Sequence, residues 1–207
     1  MMLAMISRGA AALAAFGLVT AGAVALTWQL TAEQIERNEK AVAIAALTQV
    51  LPAHDNDLLS GQVTLPPTTS LGQSDPWQAS VAVMDSAPAA VALPVIANDG
   101  YSGAIHMVLG VDMSGTVTGL RVVKHRETPG LGDKIDIAKS NWILDFNGTR
   151  LGQPEIEQWA PKPDGGAFDA FTGATITPRA VIAATQRALV WFESQGRNQI
   201  LEAFNEQ

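Results

Sequence analysis

Hydrophobic and polar positions divide the chain into three textures. The first is an uncharged run from Gly9 to Ala32, containing GAAALAAFGLVTAGAVALTWQL. At ~1.5 Å per residue, a helix over 9–30 spans a hydrocarbon core of about 30 Å. Helical spacing continues through Ile35, Val42, Leu47 and Leu51 until Pro52 stops it, so a second helical stretch over 31–52 follows without a break. The second texture, residues 53–78, is rich in Pro, Ser, Thr, Gly and Asp and reads as loop with short strands.

The third texture begins at Ala79. Val81 and Val83, then Val91, Leu93 and Val95, alternate as half-buried strands do, with a turn expected around Ala87-Pro88. Residues 101–112 (YSGAIHMVLGVD) and 116–125 (TVTGLRVVKH) predict a hairpin around Met113-Ser114-Gly115, with Asp112 and Gly115 bracketing the turn. A loop with Pro129, Gly130 and Gly132 follows, and 134–146, carrying Trp142, starts out helical. The last element is a helix with Thr177 as N-cap, Pro178 at its first position and Gly196 as its stop. Val181, Ala184, Ala188 and Phe192 form its apolar face, with Leu189 beside them. This order predicts an α+β fold: one N-terminal transmembrane helix, then an antiparallel-sheet domain with flanking helices. The expected segments are 1–8 as a cytoplasmic N-terminus, 9–30 as the anchor, 31–52 as a juxtamembrane helix, 53–100 as a loop-rich part of the body, and 101–207 as its core.

Charge adds an orientation. Within the first 30 residues only Arg8 is charged, whereas Glu33, Glu36 and Glu39 follow the apolar run. That asymmetry puts the N-terminus in the cytoplasm and the body outside the inner membrane, and Trp28 suits the headgroup level at the far end. A cleaved signal peptide ending at Ala23-Val24-Ala25 is the competing reading, and it exports the body equally. The chain of 207 residues has a formal charge of −7 and no basic patch, so nucleic acid is not an expected partner. The lack of cysteine excludes disulfides, thiolate metal sites and cysteine nucleophiles. His54, His106 and His125 are too scattered to predict a metal site.

Two stretches carry candidate chemistry. In Asp169-Ala170-Phe171-Thr172-Gly173-Ala174-Thr175-Ile176-Thr177-Pro178, small residues leave the Thr175 hydroxyl accessible just before a helix start. A phosphate on Thr175 would meet unpaired backbone N–H groups and the positive end of the helix dipole. Read alone, Thr175 and Thr177 are equally ordinary caps. In His125-Arg126-Glu127-Thr128-Pro129-Gly130-Leu131-Gly132-Asp133-Lys134, Thr128 and the loop amides can donate to a flat polar ring. Leu131 can pack on the face of such a ring, and Lys134 or Arg126 can compensate a phosphate. Read alone, this is a structural turn in which Glu127 and Lys134 are solvated charges.

Taken together, ETPGLG before Lys134-Ile135 and the Asp169-x-x-Thr-Gly-Ala-Thr175 motif resemble the FMN-binding domain of the RnfG/RsxG family, the G subunits of Rnf/Rsx-type ion-translocating electron transport complexes. The resemblance covers nearly the whole chain, including the N-terminal anchor, the helix ending Val-Leu-Pro and GYSGAI at 100–105. It implies an FMN (flavin mononucleotide) esterified through its phosphate to Thr175. A dedicated flavin transferase, using FAD and a divalent cation such as magnesium, would recognise Asp169, Thr172, Gly173, Ala174 and Thr175. Thr172, Gly173, Ala174, Thr128, Leu131, Gly132 and Lys134 would contact the cofactor, with no catalytic residue or metal of the chain's own. The implied partners are the other membrane subunits of the complex, in which this chain relays electrons of a redox-driven ion translocase. The C subunit of a sodium-translocating NADH:quinone reductase shares this domain and is an alternative. A non-redox anchored scaffold with Thr175 as a plain cap is another, and a soluble exported flavoprotein would follow from signal cleavage.

Overall fold

The computed structural model describes residues 2–59 and 61–206. Met1, Ser60 and Gln207, which fall in the expected 1–8, 53–100 and 101–207 segments, lie outside the described residues, as do the side chains of Arg8 and Glu39 used for the charge asymmetry. The chain divides into two compact units, Met1–Val42 and Ala43–Gln207.

Helix α1 runs over Met2–Val50. In the first unit Leu13, Phe16, Leu18, Val19, Leu26, Trp28 and Leu30 are all exposed. The stretch is long and apolar enough to cross a membrane. Its hydroxyls are satisfied internally: Thr20 donates to the Phe16 carbonyl, Thr27 to that of Ala23 and Thr31 to that of Thr27. A helix in hydrocarbon has no water for such groups, so this pairing suits an apolar solvent. Past the apolar run the surface becomes ionic, with Glu33–Arg37 and Glu36–Lys40 pairs one turn apart.

The second unit is built on a five-stranded antiparallel meander, β1 (Gln62–Leu65), β2 (Trp77–Met84), β3 (Ala87–Ala97), β4 (Ile105–Asp112) and β5 (Val117–Lys124), each strand beside its neighbour in sequence. Helices α2 (Ile176–Trp191) and α3 (Arg197–Asn205) follow, joined by a π-helical turn over Phe192–Gly196. Val81, Val91, Leu93, Val95, Met107 and Leu109 share the main core with Val181, Ala184, Ala188 and Phe192.

The opposite face of the sheet is also buried, where half-buried strands are expected. Ala82, Ala90, Ala92 and Val108 pack there against Ala46, Val50 and Leu51 at the end of α1. Contact is close because Gly110 and Gly119 pair across β4 and β5 beneath Val50. A Cβ on Gly110 would lie 2.2 Å from the Val50 carbonyl oxygen, and one on Gly119 would lie 2.8 Å from Val50 Cα. Thr118 donates to that same carbonyl at 2.5 Å, and Arg121 Nε donates to Gln49 at 2.7 Å.

Several local expectations are corrected. The β2–β3 turn is Asp85-Ser86, both at positive φ as a two-residue hairpin with right-handed strand twist requires, so Ala87-Pro88 belong to β3. Residues 101–104 form a turn rather than the start of a strand. Residues 134–146 hold no α-helix; the chain there makes 3-10 turns over Gly132–Ile135 and Trp142–Phe146. Gly196 does not stop the last helix. It has ordinary helical φ, and a Cβ there would come within 2.4 Å of the Trp191 ring, so its role is to admit the indole. The hairpin at Asp112 matches the expectation: its carboxylate accepts from the Ser114 and Thr116 amides and the Ser114 hydroxyl, while Gly115 turns at φ 89°.

Candidate functional site

The two chemistry-bearing stretches meet at one cavity of about 340 Å³. Its lining comprises Tyr101, Glu127, Thr128, Leu131, Gly132, Gly173, Ala174, Thr175, Ile176 and Thr177. The first comes from the turn after β3, the next four from the loop after β5, and the rest from the turn leading into α2 and its first residues. A volume in this range accommodates part of a drug-sized ligand.

The Thr175 segment is held from behind by aromatic rings. Phe171 is buried edge-on to Trp142 at 5.0 Å, and Trp142 Nε1 donates to the Asp169 carbonyl at 2.8 Å. Phe168 stacks on Phe146 at 4.6 Å. From Phe171 the chain makes a tight turn in which Ala174 N donates to the Phe171 carbonyl and Gly173 sits at φ 81°. Glycine is the residue that adopts this third turn position without strain. The turn delivers Thr175 to the N-cap position of α2 with its side chain making no capping hydrogen bond. Thr175 is therefore not a cap in the sense the bare sequence allows.

Thr177 is not the N-cap either. It lies buried in the first turn of α2, and its hydroxyl donates to Glu127 Oε2. Pro178 is the third residue of the helix, still within the turn whose N–H groups have no helical acceptor.

Glu127 is the cavity residue whose place the sequence conceals. Expected on its own to be solvated, it is 4 % exposed. Its Oε1 accepts from the Ser102 amide at 2.9 Å and its Oε2 from Thr177. One carboxylate thus joins all three segments around the cavity. Gly132 is required by that junction: a Cβ there would meet Thr177 Oγ1 at 2.8 Å and Glu127 Oε2 at 2.9 Å.

The loop amides are less free than expected. Leu131, Gly132 and Asp133 all donate to the Thr128 carbonyl, which folds the loop on itself around Gly130 at φ 77°. Thr128 and Leu131 do line the cavity, and Leu131 approaches Gly173 across it. Lys134 and Arg126 do not line it; Lys134 Nζ stands 6.0 Å from the centre of the Phe171 ring. Thr172 is exposed on the turn, outside the lining. Asp169 pairs with Lys162 at 2.5 Å on the surface; that contact, with electrostatic attraction added, raises the Lys162 ammonium above its ordinary range. Among the described residues no His, Asp and Glu cluster suited to a metal ion is found.

The residues present fit an FMN held by its phosphate. A free hydroxyl sits at the N-terminus of a 16-residue helix, beside a cavity with apolar walls at Leu131, Ala174 and Ile176.

Comparison with known proteins gives the same direction. The FMN-binding domain family matches residues 100–190, and the RnfG N-terminal region matches residues 1–50. The G subunit of the ion-translocating oxidoreductase complex of Vibrio cholerae is 47% identical over 190 residues, covering 91% of this chain and 90% of its own. The Vibrio atlanticus protein of that name is 41% identical over 206 residues, 99% and 98% of the two chains. The Shewanella baltica one is 43% identical over 190 residues, 91% and 89%. The chain belongs to the family of G subunits of ion-translocating oxidoreductase complexes and contains its FMN-binding domain.

Proposed function

We propose that this chain is the subunit of an ion-translocating oxidoreductase complex that carries FMN as a phosphoester on Thr175 and relays electrons through it. The anchor is residues 9–30 of α1, with the N-terminus in the cytoplasm and the body on the periplasmic side. The observation that carries the reading is the Thr175 hydroxyl, at the start of α2, unengaged as a cap, and lining one cavity with the Glu127–Gly132 loop.

In maturation, Thr175 Oγ attacks the FMN-side phosphorus of FAD, with a flavin transferase and its divalent cation as catalyst. The new Oγ–P bond replaces the bond to AMP, which leaves, and the hydroxyl proton goes to solvent. Asp169, Thr172, Gly173 and Ala174 present the threonine to that enzyme, on a turn fixed by the buried Phe171. The first-turn N–H groups of α2 would help hold the phosphate there. Leu131 and Ile176 offer apolar surface to the ring, and Thr128 a polar edge. FMN supplies one- and two-electron chemistry, and the chain supplies tethering and orientation.

The test is intact mass and in-gel fluorescence of the denatured full chain after co-production with a flavin transferase. The expected wild-type product is heavier by one FMN less one water, fluorescent, and still contains residues 1–25; Thr175→Ala loses the added mass and the fluorescence. An unmodified wild-type mass, with a known acceptor labelled in parallel, refutes the attachment and leaves the scaffold reading. A mature chain lacking residues 1–25 refutes the anchor alone.

A further inference from the structure

Among the described residues Glu127 is the one carboxylate lining the cavity; the other buried acid of the loop, Asp133, does not line it. The other lining residues carry no acidic or basic side chain apart from the Tyr101 phenol. Both Glu127 oxygens accept hydrogen bonds, from the Ser102 amide and the Thr177 hydroxyl, so the carboxylate is held in place by the fold. Neither Lys134 nor Arg126 lines the cavity to offset it. A structural clamp alone does not demand a charge at this position, since Gln would make both contacts. Its amide oxygen would accept from Ser102, and its NH₂ would donate to a Thr177 hydroxyl turned to accept.

We infer that Glu127 is a tuning residue that lowers the midpoint potential of the flavin in this cavity. The inference rests on the proposal that FMN is attached at Thr175. At mildly alkaline pH the ring takes up two electrons from an external reductant and one proton from solvent, so it ends one negative charge richer. A carboxylate held in the wall of the same cavity opposes that charge. A low-potential carrier is poised to give electrons onward and is hard to reduce by weak donors.

The experiment is spectroelectrochemical titration of full-length, flavinylated protein in detergent, with mass confirming one FMN on each sample before titration. Glu127→Gln is expected to shift the reduction equilibrium at least tenfold toward the reduced ring, an increase of about 30 mV for a two-electron couple. Glu127→Asp, which keeps the charge, should stay closer to wild type. Thr177→Ala removes a donor that partly neutralises the carboxylate and should lower the potential. An unchanged or lower potential in Glu127→Gln overturns the inference, as does a rise in Thr177→Ala to match it, which would mark a purely structural effect. If Glu127→Gln takes up no flavin, Thr177→Ala decides: a fall supports the inference, and no change or a rise overturns it. Absence of FMN on the wild-type chain would instead remove the attachment reading itself.

Discussion

Gly132→Ala isolates the packing of the Glu127 junction. Gly132 needs no special backbone angle, so an alanine is disfavoured only by what its methyl group meets. It would stand 2.8 Å from Thr177 Oγ1, 2.9 Å from Glu127 Oε2 and 3.0 Å from Glu127 Cβ. These are side-chain atoms held by each other, so relief requires prising the hydroxyl from the carboxylate. Overpacking of this kind costs about 1–3 kcal/mol. In a domain of this size each kcal/mol lowers Tm by roughly 2–4 °C. Thr177→Ala on the wild-type background removes a hydrogen bond to a buried carboxylate, at about 1.5–3 kcal/mol. The same change on the Gly132→Ala background also removes the nearest clashing atom, so it should cost less. The expected signature in thermal unfolding of the full chain in detergent is therefore a coupling of about 0.5–3 kcal/mol, with the double variant more stable than the sum of the singles predicts. Strict additivity would refute the claim that Gly132 is glycine because of the Glu127–Thr177 pair.

Two further perturbations follow. Gly110→Ala drives a methyl group into the Val50 carbonyl oxygen, a backbone atom that cannot rotate aside, and breaks the Thr118 hydrogen bond. Its loss should reach about 2–4 kcal/mol, read as a lower urea midpoint and faster proteolysis near residue 50, with Thr118→Val losing only about 1 kcal/mol. At Asp112, partial burial pushes the carboxyl pKa up, but hydrogen bonds from the Ser114 hydroxyl and the turn amides outweigh it and hold the group below the usual carboxylate value. A folded pKa below the unfolded one means stability that is present above the unfolded pKa and lost as pH falls through the folded one. Asp112→Asn should therefore be less stable than wild type at neutral pH, and the gap should close below pH of about 4. A gap constant with pH would show that the turn uses the oxygen and not its charge.

Much of the frame was legible because its causes are local. An uncharged run longer than a bilayer core, the period of 3.6 after it, and Asp and Gly at a hairpin each act within a few residues. The misread segments share the opposite property. Gly196 looks like a helix stop, yet it is glycine because the Trp191 ring lies against it. Residues 134–146 have apolar spacing compatible with a helix, but their rings are taken by the cluster of Trp142, Phe146 and Phe168 that holds the Thr175 turn from behind. Glu127 is the sharpest case. Its partners lie 25 and 50 residues away, and a Glu beside Arg and Thr gives no local sign of burial. The one available signal was indirect: a Gly two residues past Gly130 that no turn requires.

The hydrogen-bond inventory of the cavity bears on why a ligand here would be bonded covalently. Three loop amides are turned inward to the Thr128 carbonyl, and both oxygens of Glu127 are occupied by Ser102 and Thr177. Pro178 contributes no N–H at all. What remains in the lining is the apolar surface of Leu131, Ala174 and Ile176 and the hydroxyl side chains of Tyr101, Thr128 and Thr175. Among the described residues no arginine or lysine lines the cavity to grip a phosphate. Such a site can orient a ring yet supplies few directional contacts to hold it against dilution, because association costs several kcal/mol of lost freedom before any contact is counted. The proposed bond to Thr175 would remove that cost. It also leaves the donors of the loop free to hold the loop itself in place. The same inventory predicts that Thr175→Ala protein, refolded or produced with excess free FMN, will bind it weakly, with a Kd no tighter than about micromolar. Nanomolar binding by fluorescence quenching would show that the cavity grips the flavin without the ester, and would remove this rationale for the covalent link.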